Sequence, residues 1–257
     1  MDEKEDLTKV LGVSWLPSAD HFTFNFDPEI ANCVVNTPRE LVSIQARLYD
    51  PDGFIVPFKL PGRRMLQLCK AGERGWDSPL EGKLKKEFEE WASSIPKLAQ
   101  YSIPRWWNVD IDEDDIVDEQ LHFFSDASAI AIGAVGYRRI VGKNGEIRTV
   151  IVRATTSAVP LNSARASHHN SIPRLEMAAA EKSIQIRQFV ERAVKRKYSK
   201  IVMWTDSESV LKMLYDRSRR YQVIFQTAFL KSTPLRKSMN GVSSTLKITP
   251  PTMLQEV

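Results

Sequence analysis

The chain has 257 residues, of which 42% are hydrophobic and 26% are charged. This balance is typical of a globular protein with a full core, and it excludes wholesale disorder. No apolar stretch approaches the roughly 18 to 20 residues needed to cross a bilayer, and the N-terminus is acidic where a secretory signal would be basic and then apolar. We therefore expect an intracellular protein, cytoplasmic or nuclear, without a membrane partner.

Charge is divided unevenly along the chain, although the net charge is only +4. Residues 1–120 carry 14 Lys and Arg against 23 Asp and Glu, a net −9, whereas residues 121–257 carry 22 against 9, a net +13. The basic second half indicates a polyanionic partner, although solvated protein faces are often basic too. If the same half holds a metal site, the balance favours nucleic acid over a small phosphate ester.

An acidic run at residues 110–119 separates two parts of the chain. A block of like charge is typical of a solvated, mobile connection, so residues 110–120 are interpreted as a linker. Residues 1–109 then form an α+β part of their own, and residues 121–231 form a second domain. Residues 232–257 are rich in Ser, Thr and Pro, and we expect an aberrant, disordered tail there.

Three antiparallel strands are predicted at the start of the second domain. Residues 121–126 and 130–141 are rich in β-forming side chains and are separated by a turn of small residues. Asn144 and Gly145 tolerate positive φ, so this dipeptide predicts a tight hairpin between the second strand and a third strand at residues 146–157.

Helical periodicity begins after a loop at residues 160–171. From Ile172 to Ala193, apolar residues recur at steps of three and four, and Pro173 suits the first turn of a helix. Residues 201–204 form a short apolar run typical of a buried strand, and residues 207–215 predict another helix. The order β-β-β-α-β-α predicts an α/β domain with a mixed sheet.

Three acidic residues fall where this topology brings chain segments together. Asp126 closes the first strand, Glu176 lies near the start of the long helix, and Asp206 follows the fourth strand. A helical crossover makes the fourth strand parallel to the first, so both carboxyl ends lie at one edge of the sheet. Converging carboxylates repel one another unless cations lie between them. The arrangement therefore predicts a site for two Mg²⁺ (or Mn²⁺) ions of the kind that phosphodiester-cleaving nucleases use.

Each acid also has a structural interpretation. Thr205 and Glu208 have the spacing of a capping box, and the helix dipole favours Asp206 at a helix start. For any one acid alone the structural role is the better interpretation. Three acids in this topological order favour the metal site.

Other polar residues of the second domain have two interpretations. The loop residues His168 and His169 could shuttle protons during hydrolysis, or they could simply be solvated. Six basic residues at the end of the long helix could bind the phosphates of a nucleic acid, or they could equally complement the helix dipole. These six are Arg187, Arg192, Lys195, Arg196, Lys197 and Lys200.

Three motifs around the acids carry a family resemblance. The segments Phe-Phe-Ser-Asp-Ala-Ser at 123–128, Ser-Ile-Pro-Arg-Leu-Glu at 171–176 and Trp-Thr-Asp-Ser at 204–207 resemble the ribonuclease H region of BEL/Pao-type retrotransposon polyproteins. This region is also called the Pao retrotransposon peptidase. The resemblance extends over residues 7–231. Upstream motifs resemble the end of the reverse transcriptase palm, the thumb and the connection, at 9–15, 37–53 and 76–79.

The resemblance implies a ribonuclease H-like fold in which Asp126, Glu176 and Asp206 hold Mg²⁺ or Mn²⁺. It implies hydrolysis of the RNA strand of RNA–DNA hybrids by two-metal catalysis. Residues 1–109 would be a remnant of the reverse transcriptase thumb and connection. The implied partners are the hybrid nucleic acid and the remainder of the retroelement polyprotein.

The chain also departs from that family. It has no Tyr-x-Asp-Asp motif for polymerisation, and no catalytic triad or paired Asp-Thr-Gly for peptide cleavage. The match stops near Lys231, so the final strand and helix, with the family's fourth metal-site acid, are expected to be missing. A shifted reading of the codons for 240–257 permits a motif like the missing one, which indicates a frameshift. Such a loss would cripple catalysis, and the alternative is an inactive nucleic-acid-binding fragment or a translated pseudogene.

Overall fold

The structure is a computed structural model that describes residues 8–10, 13–24, 26, 36–107, 110–161 and 171–215. His168, His169 and the expected tail at 232–257 lie outside the described residues. The described residues divide into two compact units. One contains those up to Asp110 together with Pro160 and Leu161, and the other contains those from Ile111 to Val159 and from Ser171 onward.

The first unit contains a small antiparallel sheet with the strand order β1-β2-β3-β4. Asp20 supports it by accepting hydrogen bonds at 2.6 and 3.0 Å from the Arg105 guanidinium and one at 3.0 Å from Trp15 Nε1. Arg105 follows β4, which pairs with β3, so these bonds tie the β2–β3 turn to the neighbouring edge strand. The strands are β1 (Thr8–Val10), β2 (Val13–Leu16), β3 (His21–Thr23) and β4 (Ser102–Pro104).

Three helices and a 3₁₀ turn form the core of the first unit. Trp91 is buried, stacks on Phe58 with ring centroids 5.7 Å apart, and donates its indole N–H to the Phe58 carbonyl oxygen at 2.8 Å. This bond satisfies the one polar atom that the Trp91 side chain brings into the core. The elements are α1 (Pro38–Arg47), α2 (Val56–Ala71), α3 (Gly82–Ser93) and the 3₁₀ turn Ile95–Gln100.

The second unit has the predicted order β-β-β-α-β-α. Its mixed sheet has the order β7-β6-β5-β8, in which β5, β6 and β7 are antiparallel and β8 runs parallel to β5. Gly145 has a φ of +83° in the β6–β7 turn, which confirms the hairpin predicted at this position. The elements are β5 (Ile116–Ala127), β6 (Ala131–Gly142), β7 (Ile147–Ala158), α4 (Ile172–Val194), β8 (Lys200–Trp204) and α5 (Glu208–Tyr215).

Strand β5 begins at Ile116, five residues earlier than the predicted start at 121. Residues 116–120, which sequence reasoning assigned to a solvated linker, therefore belong to the sheet. The physical reason is that acids of this segment have cationic partners across the sheet. Glu119 accepts a hydrogen bond at 2.9 Å from Nε of Arg138, which is only 1% exposed.

Helix α4 packs against the sheet through its apolar stripe. Ala179 and Val190 are buried on the helix, and Leu121 and Phe123 are fully buried on β5 beneath it. Gly136 on β6 makes room for Phe123, since a Cβ at this position would lie 2.7 Å from the phenyl ring. Among the helices that the structure describes, none is long and apolar enough to span a bilayer.

The buried ion pair between Glu119 and Arg138 should be important for stability. We expect Glu119→Gln to lower the free energy of unfolding of the second unit by about 3 kcal/mol, because it removes the carboxylate that faces a buried guanidinium. This change can be measured by urea titration, with unfolding of the second unit monitored by hydrogen exchange of peptides from β5 and β6. The exposed pair of Asp115 and Lys143 (2.8 Å) is the control, and Asp115→Asn should cost less than about 1 kcal/mol. If Glu119→Gln and Asp115→Asn lowered the free energy of unfolding equally, the buried pair of Glu119 and Arg138 would have no special importance for stability.

Candidate metal centre

Parallel pairing of β5 with β8 places two of the predicted acids at one edge of the sheet. The register pairs Phe124 with Trp204, the last residue of β8. Asp126 lies two residues beyond Phe124 near the end of β5, and Asp206 lies two residues beyond Trp204. Both carboxylates are exposed. They therefore project from the carboxyl ends of adjacent parallel strands, where ligands bind in open α/β sheets.

The loop that carries Asp206 is held by hydroxyl groups on either side of it. Thr205 Oγ1 accepts a hydrogen bond from the Ser207 amide at 3.2 Å, and Ser207 Oγ accepts one from the Val210 amide at 3.3 Å. Ser207 is thus the N-cap of α5. The interpretation of Thr205 and Glu208 as a capping box is wrong, because the helix begins at Glu208 and its cap is the adjacent serine. The Asp206 carboxylate remains available for another role.

Glu176 reaches the same edge from the second turn of α4. Pro173 occupies the first turn of this helix, as predicted, and Leu175 beside Glu176 is buried against the sheet. Glu176 itself is only 9% exposed, and its Oε2 has no hydrogen-bond partner among the described residues. A buried carboxylate oxygen without a partner is costly for a protein unless something else satisfies it.

The three predicted acids converge in space. One carboxylate oxygen each from Asp126, Glu176 and Asp206 lies within 4.8 Å of the other two. Burial raises the pKa of Glu176 above its ordinary value of 4.5, and the charges of Asp206 and then Asp126 raise it further. The cluster therefore concentrates negative charge around a poorly solvated carboxyl group. This is the environment that a divalent cation with oxygen ligands would stabilise.

An aromatic row beside the carboxylates was missed by sequence reasoning. Phe124 and Trp204 stack with centroids 5.8 Å apart, Tyr137 meets Phe124 edge-on at 5.8 Å, and His122 stacks on Trp204 at 6.0 Å. Burial lowers the pKa of His122, and the nearby cations Lys200 and Arg139 lower it further. The signal in the sequence was the aromatic residue two positions before each aspartate, but the pairing of the strands was needed to interpret it.

The six basic residues lie at the other end of α4 from the carboxylates. With a rise of about 1.5 Å per residue, Arg192 is roughly 24 Å along the helix axis from Glu176. Arg187 pairs with Glu191 one turn further along the same helix at 3.2 Å, whereas Arg196 pairs with Glu113 and Glu119 and so ties the end of the helix to the strand β5 and the segment before it. Exposed members remain available to solvent: Arg192, Lys195, Lys197 and Lys200.

The strand order, the parallel fourth strand and the position of the carboxylates define an α/β domain of the ribonuclease H-like class. The sequence matches the family model described as "Pao retrotransposon-like RNaseH-like domain" over residues 37–207. The chain belongs to this family, and the resemblance drawn from its motifs is confirmed.

Two solved structures of foamy viral proteins are similar to the chain at low identity. The protease-reverse transcriptase dRH in complex with double-stranded DNA aligns with 98% of this chain and 38% of its own, at 11% identity and a TM-score of 0.47. The protease-reverse transcriptase in complex with double-stranded DNA aligns with 98% of this chain and 46% of its own, at 11% identity and a TM-score of 0.44. The chain thus spans less than half the length of either protein. A search among curated proteins found no match.

The raised pKa of Glu176 makes the stability of the metal-free protein depend on pH. The folded protein holds the Glu176 proton more tightly than the unfolded chain, so stability falls as pH rises from 4.5 through the raised pKa. We expect Glu176→Gln to reduce this fall and to make the metal-free protein more stable at neutral pH. Thermal unfolding from pH 4 to 8 in chelator measures it. Glu181→Gln on the same helix is the control, and superimposable profiles for wild type and Glu176→Gln would contradict the assignment.

Proposed function

We propose that the second unit is a metal-dependent ribonuclease H-type endonuclease that hydrolyses the RNA strand of RNA–DNA hybrids. The observation that carries the proposal is the convergence of Asp126, Glu176 and Asp206 within 4.8 Å at the carboxyl edge of a ribonuclease H-like sheet. Membership of the Pao retrotransposon-like RNaseH-like family supports the same activity. We propose that this endonuclease acts inside the cell, in the cytoplasm or the nucleus.

The residues of the cluster fit divalent cations. Carboxylate oxygens are the ligands that Mg²⁺ and Mn²⁺ prefer, and Glu176 Oε2 is a buried acceptor with no partner among the described residues. When bound, a pair of Mg²⁺ ions would polarise the scissile phosphate, activate the attacking water and stabilise the departing oxygen.

The protein's own contribution is to hold the three carboxylates in place and leave one side open. Asp126 Oδ1 accepts the amide hydrogen of Ala127 at 2.7 Å, which restricts the rotation of its side chain. Glu176 closes the buried side of the cluster, whereas Asp126 and Asp206 are exposed toward solvent. Because the cluster without cations would repel a phosphate, binding of the substrate backbone there requires bound metal.

Nucleic-acid binding is proposed to involve the exposed basic residues at the far end of α4. A separation of roughly 24 Å from Glu176 corresponds to about seven base-pair steps at 3.4 Å. A duplex that lies along α4 would therefore reach both the carboxylates and the basic end. The participating side chains would be the exposed Arg192, Lys195, Lys197 and Lys200. Arg196 would position the helix end through its pair with Glu119, and Arg187 is engaged with Glu191 on the helix itself.

The first unit is proposed to be a remnant of a reverse transcriptase thumb and connection within a larger retroelement polyprotein. What supports a division is the separation of the described residues into two compact units at Asp110, while the family match runs across both units. Polymerisation is not part of the proposal, because the chain carries no Tyr-x-Asp-Asp motif.

Cleavage of a labelled RNA–DNA hybrid in Mg²⁺ tests the enzyme proposal. We expect Asp126→Asn to reduce the rate by more than about 100-fold, since loss even of a group that only orients a metal ligand costs 10 to 100-fold. Asp114→Asn, in an exposed acid remote from the cluster, should leave the rate unchanged. Equal rates for wild type and Asp126→Asn, or no cleavage by either, would remove the enzyme proposal. Retained hybrid binding without cleavage would identify an inactive nucleic-acid-binding fragment instead.

Salt dependence of hybrid binding tests the basic end of α4. Replacement of Arg192, Lys197 and Lys200 by Gln together should weaken binding and reduce the slope of log affinity against log salt by about 0.9 for each phosphate that is no longer neutralised. Fluorescence anisotropy across a salt series measures the slope. Replacement of three exposed lysines of the first unit, Lys83, Lys86 and Lys97, is the charge-matched control. If both triple variants change the slope equally, the assignment to α4 is wrong.

A further inference from the structure

The end of β8 is the part of the sheet from which Asp206 projects. Among the described strands, β5 is the neighbour of β8, and their backbone pairing ends at Phe124 and Trp204. A bond from Ser125 Oγ to the Trp204 carbonyl oxygen follows, but its 3.5 Å is long for a hydrogen bond between a hydroxyl and an oxygen. The side-chain contacts of Trp204 therefore matter for the position of Asp206.

A row of hydrogen-bonded side chains connects both ends of β8 to β5. At the end of β8, Trp204 Nε1 donates to His122 Nδ1 at 3.0 Å. His122 Nε2 lies 3.0 Å from Gln120 Oε1, and Gln120 Nε2 donates to Asp118 Oδ2 at 2.6 Å. Directly before β8, Ser199 Oγ donates to Asp118 Oδ1. These five residues are called the polar row.

The bond from Trp204 determines which nitrogen of His122 carries the proton. An indole N–H can only donate, so His122 Nδ1 must be an unprotonated acceptor. Burial lowers the pKa of His122, and the charges of Lys200 and Arg139 lower it further, so the ring is neutral at neutral pH. Nε2 then carries the one ring proton and donates it to Gln120 Oε1.

The polar row ends at an ionised carboxylate. The hydrogen bond from Ser199 lowers the pKa of Asp118, and the bond from Gln120 lowers it further. Asp118 therefore accepts on both of its oxygens at neutral pH. Donors along the row all point toward it, so each side chain satisfies its neighbour in one orientation. A satisfied network of this kind restricts the side chains that it contains.

His122 links the two strands that carry the exposed acids of the metal centre. It lies on β5 before Asp126, and its partner Trp204 lies on β8 before Asp206. In the backbone register His122 is paired with Val202, so its bond to Trp204 is a diagonal contact across the two strands. A diagonal bond opposes sliding of β8 along β5 as well as separation of the strands. Both movements would change the distance between the two aspartates.

We propose that His122 is a positioning residue of the metal centre, which holds Trp204 through its Nδ1 acceptor and thereby fixes the end of β8 from which Asp206 projects. The inference rests on the proposed metal-dependent function and adds a residue to that site. In this role His122 contacts neither metal nor substrate. It acts through Trp204, by keeping Asp206 beside Asp126 as the structure shows them.

Nitrogen NMR of the metal-free, full-length chain tests the bond itself. We expect a scalar coupling across the hydrogen bond between Trp204 Nε1 and His122 Nδ1, and a neutral His122 ring protonated on Nε2. A His122 ring protonated on Nδ1 at neutral pH, or no coupling between the two nitrogens, would overturn the proposal. This measurement needs neither metal nor activity, so its result is independent of the proposed function.

Binding of Mn²⁺ to the full-length chain, measured from the EPR signal of the free ion, tests the positioning role. His122→Phe keeps a ring but removes the acceptor, and it should weaken binding severalfold, less than the loss of about 10 to 100-fold for groups bonded directly to a metal ligand. His122→Asn places an amide oxygen near the position of Nδ1 and should recover most of the affinity. Tyr137→Phe removes a hydroxyl from the same aromatic row and is the control, which should bind like the wild type.

Failure of this role can be told apart from failure of the proposed function. Equal Mn²⁺ affinities of wild type and His122→Phe, equal losses in His122→Phe and Tyr137→Phe, or no recovery in His122→Asn would overturn the positioning role alone. If the wild type bound Mn²⁺ no better than Asp126→Asn, the metal centre would be removed and the positioning role with it.

A double-substitution cycle keeps the test valid if one variant is less stable than the wild type. Trp204→Phe removes the donor from the other side of the bond, and it should weaken Mn²⁺ binding about as much as His122→Phe does. The double substitution should weaken binding no more than either single substitution, because the same bond is already lost. Independent effects, in which the two losses of affinity multiply, would overturn the proposal.

Discussion

The parallel pairing of β5 with β8 is the constraint on which the candidate metal centre depends. It ends at the pair of Phe124 and Trp204, and each of these aromatic residues precedes an aspartate by two positions. Neither Asp126 nor Asp206 has to be brought to the other by a long flexible loop. The backbone of the sheet sets their separation, and the stacked rings of Phe124 and Trp204 lie directly beside it. Paired strands are rigid enough to hold two like-charged carboxylates close together.

Helix α4 is held by different interactions at its two ends. Near its start, Glu176 is buried beside two other carboxylates, an arrangement that raises its pKa and costs stability in the absence of cations. At its other end, Arg196 pairs with Glu119, which also pairs with the buried Arg138 from β6. The satisfied ion pairs at one end therefore anchor the helix that presents the unsatisfied carboxylate at the other. Local instability at functional sites is commonly offset by well-paired structure elsewhere.

Much of the second unit was predictable from the sequence because its signals are local. The Asn144-Gly145 turn and the helical periodicity from Ile172 indicated elements whose observed bounds differ from the predicted ones by one or two residues at most. The start of β5 was not predictable in the same way. Along the chain alone, the charges at 116–120 indicate a solvated segment, and only the neighbouring strand reveals that Arg138 compensates for Glu119.

The sequence by itself determined the order of the elements, the family and the three acids of the candidate site, because each depends on residue types at short spacings. Tertiary structure decided which of the charged residues act together. It brought Asp126, Glu176 and Asp206 within 4.8 Å, and it separated the basic end of α4 from them. Strand pairing and helix packing join residues that are dozens of positions apart. Spacing along the chain therefore predicts convergence only where topology restricts the possibilities, as a parallel crossover does.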